Sequence, residues 1–217
     1  KWSKEWGTMR YEKSLFELGL DYRKYLYVGD QLWGLSRKEV VKLAHSIDDE
    51  LADIFGGQTQ WRGRIFIKRK SESPDAWGVK TWTCDIWLRS DCSVHVLVHE
   101  LLHGRSYGVT EKDYSDFKGL EEGVVEQLAR ILAPRIQSIK SLYSGHNYSY
   151  QKYVDALEEI RIKYAKRDEM AYYHNLFQTP LRDRKDLLLA WSGLDKSSWT
   201  AEKYRFYHLL GQLGVKR

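Results

Sequence analysis

Apolar residues recur at helical spacing along "GLSRKEVVKLAHSIDDELADIFGG", where Ser36 and Glu39 have the spacing of a capping box and Gly56-Gly57 supply a stop. A helix is predicted over about 37 to 55. The period then changes. In "TQWRGRIFIKRK" basic residues alternate with Ile65 and Ile67, as in a strand with one solvated face. After a turn around "SESPDAWG", the stretch "VKTWTCDIWLRS" puts Trp82, Cys84, Ile86 and Leu88 on one side by period two. Two or more antiparallel strands are expected. From Ser93 onward the pattern is helical again, with candidates at 93 to 105, at about 119 to 133 ahead of Pro134, from near Ser149 through "AYYHNLF", from the Thr179-Pro180 cap, and after Ser198. A helix, a small antiparallel or mixed sheet and then mainly helices make an α+β plan. The expected division is a unit over 1–133 and a helical lobe over 134–217, packed together.

At 217 residues the chain can bury a core without disulfide staples, and 42% hydrophobic with 14% aromatic content places it among globular proteins. The tryptophans and tyrosines are core material by default. The 35 basic and 30 acidic residues leave a net charge of +5, a mixed surface on which nucleic acid is a disfavoured partner. No apolar run approaches the length of a membrane span, and "KWSKEWGTMRYEK" lacks the apolar core of a leader, so a cytoplasmic protein is expected, with a trimmed start still open. Cys84 and Cys92 are too few for a disulfide framework and could pair only in an oxidising compartment.

Candidate chemistry concentrates in "VLVHELLHGRSYGV", which contains H-E-x-x-H. At about 100° per residue Val94, Leu97, Val98, Leu101 and Leu102 share one side, with His99, Glu100 and His103 opposite, so the imidazoles are expected off the core face. Residues i and i+4 lie about 6 Å apart along the axis, so two imidazoles can converge on one ion at about 2.0–2.1 Å. Glu100 then faces a further coordination position, where a carboxylate can take a proton from activated water. His95 extends the ladder, but its ring and that of His103 are about 12 Å apart along the axis, too far to share an ion. The pair His95 and His99 has Val96 where the glutamate would be needed, so His95 is read as a flanking residue.

Catalytic zinc keeps three protein ligands, and the third must come from elsewhere. The extended pattern H-E-x-x-H-x-x-G-x-x-H is absent, because Ser106 and Val109 stand at its Gly and last His. The next predicted helix, "GLEEGVVEQLAR", carries Glu121, Glu122 and Glu126. With Leu120, Val124, Leu128 and Ile131 facing the core, Glu121 falls near the middle of the apolar side, and Glu122 sits beside Glu126, Ala129 and Ala133. Either could be a ligand, since ligation would offset the burial of a carboxylate.

These residues resemble the gluzincin clan of zinc metallopeptidases, the thermolysin and aminopeptidase-like group whose third ligand is a glutamate on the helix after the H-E-x-x-H helix. "LEEG" is similar to the "NEG" stretch of the aminopeptidases, which implies Zn2+ on His99, His103 and Glu122 with Glu121 in reserve. The resemblance also implies Glu100 as general base and Glu126 as an acid that orients a ligating histidine. It covers about 93 to 133. No G-x-M-E-N stretch is present, so the implied activity is that of an endopeptidase on a protein or peptide substrate, not an exopeptidase. The family's habit of holding an extended substrate on a strand before the active-site helix points to "TWTCDIWLRS". Tyr172, Tyr173, His174, His146 and Tyr148 are candidate oxyanion donors, with none chosen. The competing expectation is a non-catalytic, metal-stabilised binding or assembly module for protein or nucleic acid. The intact Glu100 argues against it.

Overall fold

A computed structural model describes residues 31–57, 59–145, 149–194 and 200–215. The expectations for the N-terminal stretch, His146, Tyr148 and the Ser198 cap lie outside the described residues. The fold is α+β. The described residues divide into two compact units, one containing those up to Arg105 with Ala133–Gly145, the other Ser106–Leu132 with those after Gly145.

In the first unit, a two-residue turn at Trp33 and Gly34, both at positive φ, joins β1 (Gln31–Leu32) to antiparallel β2 (Leu35–Ser36). Helix α1 (Arg37–Phe55) starts where the capping box places it: the Glu39 N–H donates to Ser36 Oγ and the Ser36 N–H donates to the Glu39 carboxylate at 2.8 Å. Its buried stripe is Val40, Ala44, Ile47 and Leu51, and it ends at Gly56, whose positive φ closes the helix.

The sheet has three strands, β3 (Ile65–Lys68), β4 (Gly78–Lys80) and β5 (Ile86–Arg89), in the order β3-β5-β4. β3 runs parallel to β5 and β4 antiparallel to it, so the sheet is mixed and not wholly antiparallel. "VKTWTCDIWLRS" is two strands, not one. The chain reverses between Lys80 and Ile86: the Cys84 N–H donates to the Thr81 carbonyl at 2.9 Å, the Thr81 N–H donates to the Asp85 carbonyl at 2.8 Å, and Cys84 sits at φ 60. Buried Asp85 accepts from Arg64 Nε at 2.6 Å, which holds the turn against the start of β3. Trp82 and Cys84 imitate the alternation of a strand, but the Thr81 side chain here bonds nearby backbone, with Oγ1 accepting the Asp85 N–H, and Thr83 Oγ1 donates to the Asp85 carboxylate. Helix α2 (Val94–Arg105) packs on β4, β5 and α1. Arg105 locks its end: Nε donates to Asp48 Oδ1 at 2.6 Å, and Nη1 donates to the Gly56 and Gly57 carbonyls left over at the end of α1.

The second unit is built on α3 (Glu111–Leu132), which is kinked at Phe117 (φ −129, ψ 27) and packs against α4 (Gln151–Ile160) and α5 (Glu169–Gln178). Gly123 permits close packing: a Cβ there would lie 2.8 Å from Leu157 Cδ1 and 3.0 Å from Tyr153 Cβ. The single helix expected from Ser149 through "AYYHNLF" is two. α4 passes into a π-helical turn at Arg161–Ala165, Lys166 takes a left-handed conformation, and Asp168 caps α5 by accepting the Ala171 N–H at 3.0 Å. A cap hidden among charged residues outweighs continuous periodicity. After a short turn at Leu181–Asp183 come α6 (Arg184–Ser192) and α7 (Ala201–Gln212), the latter capped by Thr200.

Arg184, at the start of α6, is fully buried and pairs with fully buried Glu121 at 2.6 Å. Its Nη2 donates to Ser106 Oγ at 2.9 Å and its Nε to the Thr179 carbonyl at 3.0 Å, and the Ser106 hydroxyl donates to Glu121 at 3.0 Å. Removing one member strands a buried charge. Arg184→Ala should therefore cost about 3–5 kcal/mol of stability, read from denaturant unfolding.

Both cysteines are free thiols. Burial first, then the charges of Asp91 and Glu100, push the Cys92 thiol up to about 12. Iodoacetamide at pH 8 should label Cys84 and spare Cys92 until the chain unfolds, as mass spectrometry would show. Because the unfolded thiol ionises at lower pH than the folded one, this group also makes stability fall once the pH exceeds the ordinary thiol range.

Candidate metal centre

Helix α2 places His99 and His103 one turn apart, with their Nε2 atoms 3.1 Å from each other and their rings edge to face. Two ligands held about 2.0–2.1 Å from a tetrahedral ion would be about 3.3–3.4 Å apart, so the imidazole pair needs almost no movement to share one. A carboxylate oxygen of Glu122 completes a set in which all three ligand atoms lie within 4.8 Å of one another. Two imidazole nitrogens and one carboxylate oxygen are a donor set that suits zinc and leaves a coordination position open. The residues present fit the ion.

The surroundings differ from the helical-wheel expectation. The imidazoles are not off the core: His99 is 5% exposed, Glu100 6% and Glu122 2%, with only His103 half-buried. The wheel sorts residues into sides, but it cannot tell how many sides a fold covers. α2 is a helix buried all round. His95 is also buried on this helix and lies outside the three-residue set.

Of the two adjacent glutamates, Glu121 belongs to the ion pair with Arg184, which explains its place amid the apolar side. Glu122 instead receives the Tyr114 hydroxyl on Oε1. The two residues are eight apart, about 12 Å along a straight helix, and the kink at Phe117 lets them meet. Sequence reasoning missed Tyr114. No glycine or proline at Phe117 announces the kink, so periodicity gave no signal for it. Glu126 is buried and accepts from Arg130 Nε at 2.8 Å, and Arg130 in turn reaches Gln151. Its role as an orienter of histidine therefore remains the resemblance's implication, with Arg130 the partner in view.

Glu100, between the two histidines in sequence, accepts the backbone N–H of Lys80 on β4 at 2.6 Å. The expected substrate strand needs correction as well. Ile86–Arg89 is the central strand, bonded on both sides, and so cannot add a further chain. Among the described residues β4 is the edge beside α2. Odd-numbered residues of this stretch face β5, since the Arg89 N–H donates to the Trp77 carbonyl and the Thr81 N–H to the Asp85 carbonyl. Gly78 and Lys80 therefore turn their backbone groups away from β5, and on that side Glu100 accepts the Lys80 N–H.

The oxyanion candidates on α5 are engaged elsewhere. The Tyr172 hydroxyl donates to the Leu157 carbonyl at 3.4 Å and that of Tyr173 to Glu158 at 2.8 Å. Burial above all, and then Glu158, raises both phenols well above the usual range, so they remain neutral core donors. His174, on the same helix, is half-buried.

Comparison with known proteins returned no matching family model, curated protein or solved structure.

The geometry separates the two glutamates experimentally. Glu122→Ala should lose bound zinc, measured as metal per folded chain after dialysis. Glu121→Ala should lower the unfolding midpoint, while its folded fraction keeps one zinc.

Proposed function

We propose that the chain is a zinc-dependent metallopeptidase of gluzincin type, an endopeptidase acting on extended protein or peptide substrates. The observation that carries this reading is the convergence of His99 and His103 nitrogens with a Glu122 oxygen, with Glu100 on the same helix as the two imidazoles. A structural metal would place no demand on a carboxylate at Glu100.

His99, His103 and Glu122 would hold the ion. When bound, zinc supplies Lewis-acid chemistry, acidifying water and polarising a carbonyl. Glu100 takes a proton from the attacking water as its oxygen bonds to the carbonyl carbon of the scissile peptide. It then delivers that proton to the amide nitrogen as the C–N bond breaks, so that one water is added across one peptide bond. An extended substrate would lie along β4, the edge strand that already touches Glu100 through the Lys80 N–H. The Tyr114 hydroxyl steadies the Glu122 carboxylate by donating to it.

Zinc content and cleavage of unfolded casein test this directly. Glu100→Gln should retain one zinc and lose about 10²-fold or more in turnover, and His99→Ala should lose both zinc and activity. A glutamine variant as active as the wild type, or a wild-type chain that takes up no zinc, would overturn the proposal.

A further inference from the structure

We infer that Gly78 is a positioning residue for Glu100: its missing side chain leaves the space in which the carboxylate rests, and together with the Lys80 N–H it sets where that carboxylate points. The kinetic consequence rests on the peptidase reading, whereas the structural consequence does not.

A glycine in a strand is a poor choice unless something needs it, and Gly78 opens β4. Gly78 does not need glycine for its backbone, because it is absent from the positive-φ residues of the chain. Its reason is steric. A Cβ at Gly78 would lie 2.5 Å from Val96 Cγ1, 3.0 Å from Glu100 Cγ and 3.0 Å from Glu100 Oε1. Val96 and Glu100 are four apart on α2 and so form one ridge of that helix. β4 lies on this ridge, and the strand can come so close only where the side chain is a hydrogen.

The close approach has a chemical result. It brings the Lys80 N–H to 2.6 Å from Glu100 Oε2, while Oε1 faces the bare α-carbon of Gly78. One oxygen is gripped by a charge-assisted hydrogen bond and the other has room made for it. Because Glu100 is buried, water has little part in orienting its carboxylate. β4 does that instead.

A merely structural glycine and a positioning glycine can be told apart, because the added methyl would strike two different neighbours. Val96→Ala removes the nearer obstacle and leaves the Glu100 contacts. The experiment compares the wild type, Val96→Ala, Gly78→Ala/Val96→Ala and Glu100→Ala by zinc content, thermal midpoint, NMR hydrogen exchange of the Lys80 amide, and kcat and KM on a peptide substrate. In the Val96→Ala background, Gly78→Ala should keep the fold and one zinc yet speed Lys80 exchange about tenfold or more, as Glu100→Ala should do in the wild type. Turnover should fall about 10²-fold relative to Val96→Ala, with KM little changed.

If the double variant matched Val96→Ala in both Lys80 exchange and kcat, Gly78 would be a packing residue only and the inference would fail. It would fail equally if Glu100→Ala left Lys80 exchange unchanged. A wild-type chain that binds zinc but cleaves nothing would sink the peptidase reading alone, and the exchange comparison would still decide the role of Gly78. Gly78→Ala without the second substitution is not required, so a folding failure of that variant leaves the comparison intact.

Discussion

Two imidazoles and a carboxylate on a helix covered by protein on every side impose the constraint on which the rest of this structure turns. Polar groups withdrawn from water must be bonded, and a buried carboxylate costs several kcal/mol unless its oxygens are met by donors or cations. Each buried acid here has a visible answer. Glu100 takes a backbone N–H from β4, Glu121 takes a guanidinium and a hydroxyl, Glu122 takes a phenol, and Glu126 takes an arginine. The histidines answer one another at 3.1 Å, a separation that also suits a shared ion. The proposed metal chemistry is thus one more solution to a problem that the burial of this helix creates.

The neighbouring glutamates show how one helix serves two ends. Consecutive residues point about 100° apart, so Glu121 and Glu122 cannot share an environment. Glu121 is neutralised within the second unit by Arg184, a residue distant in sequence that is itself wholly buried. Such a pair contributes little net stability compared with apolar residues of the same shape, but it is costly to break. The kink at Phe117 serves Glu122 in a similar way by folding Tyr114 back toward it.

The small sheet divides its work by position. β5 is central, and its Ile86, Trp87, Leu88 and Arg89 are all buried, whereas β4 is a three-residue strand at the edge that meets α2 through a glycine. A short edge strand limits unwanted pairing with other chains.

Much of this was legible from residue order. The Ser36 and Glu39 box, the Gly56 stop and the 3.6-residue period placed α1 at its observed bounds, and the H-E-x-x-H spacing set two imidazoles on one helical turn, because local hydrogen bonding and helix geometry act over a few residues. Tertiary structure decided the remainder. Periodicity could not say that α2 is buried all round, that "VKTWTCDIWLRS" reverses at Cys84, or that β3 and β5 are parallel. It could not say that Arg184 claims Glu121 or that Tyr114 reaches Glu122. Each of these depends on which distant segment arrives alongside, and the energy of a buried charge or a crowded backbone is set by that neighbour, not by the residues adjacent in the chain.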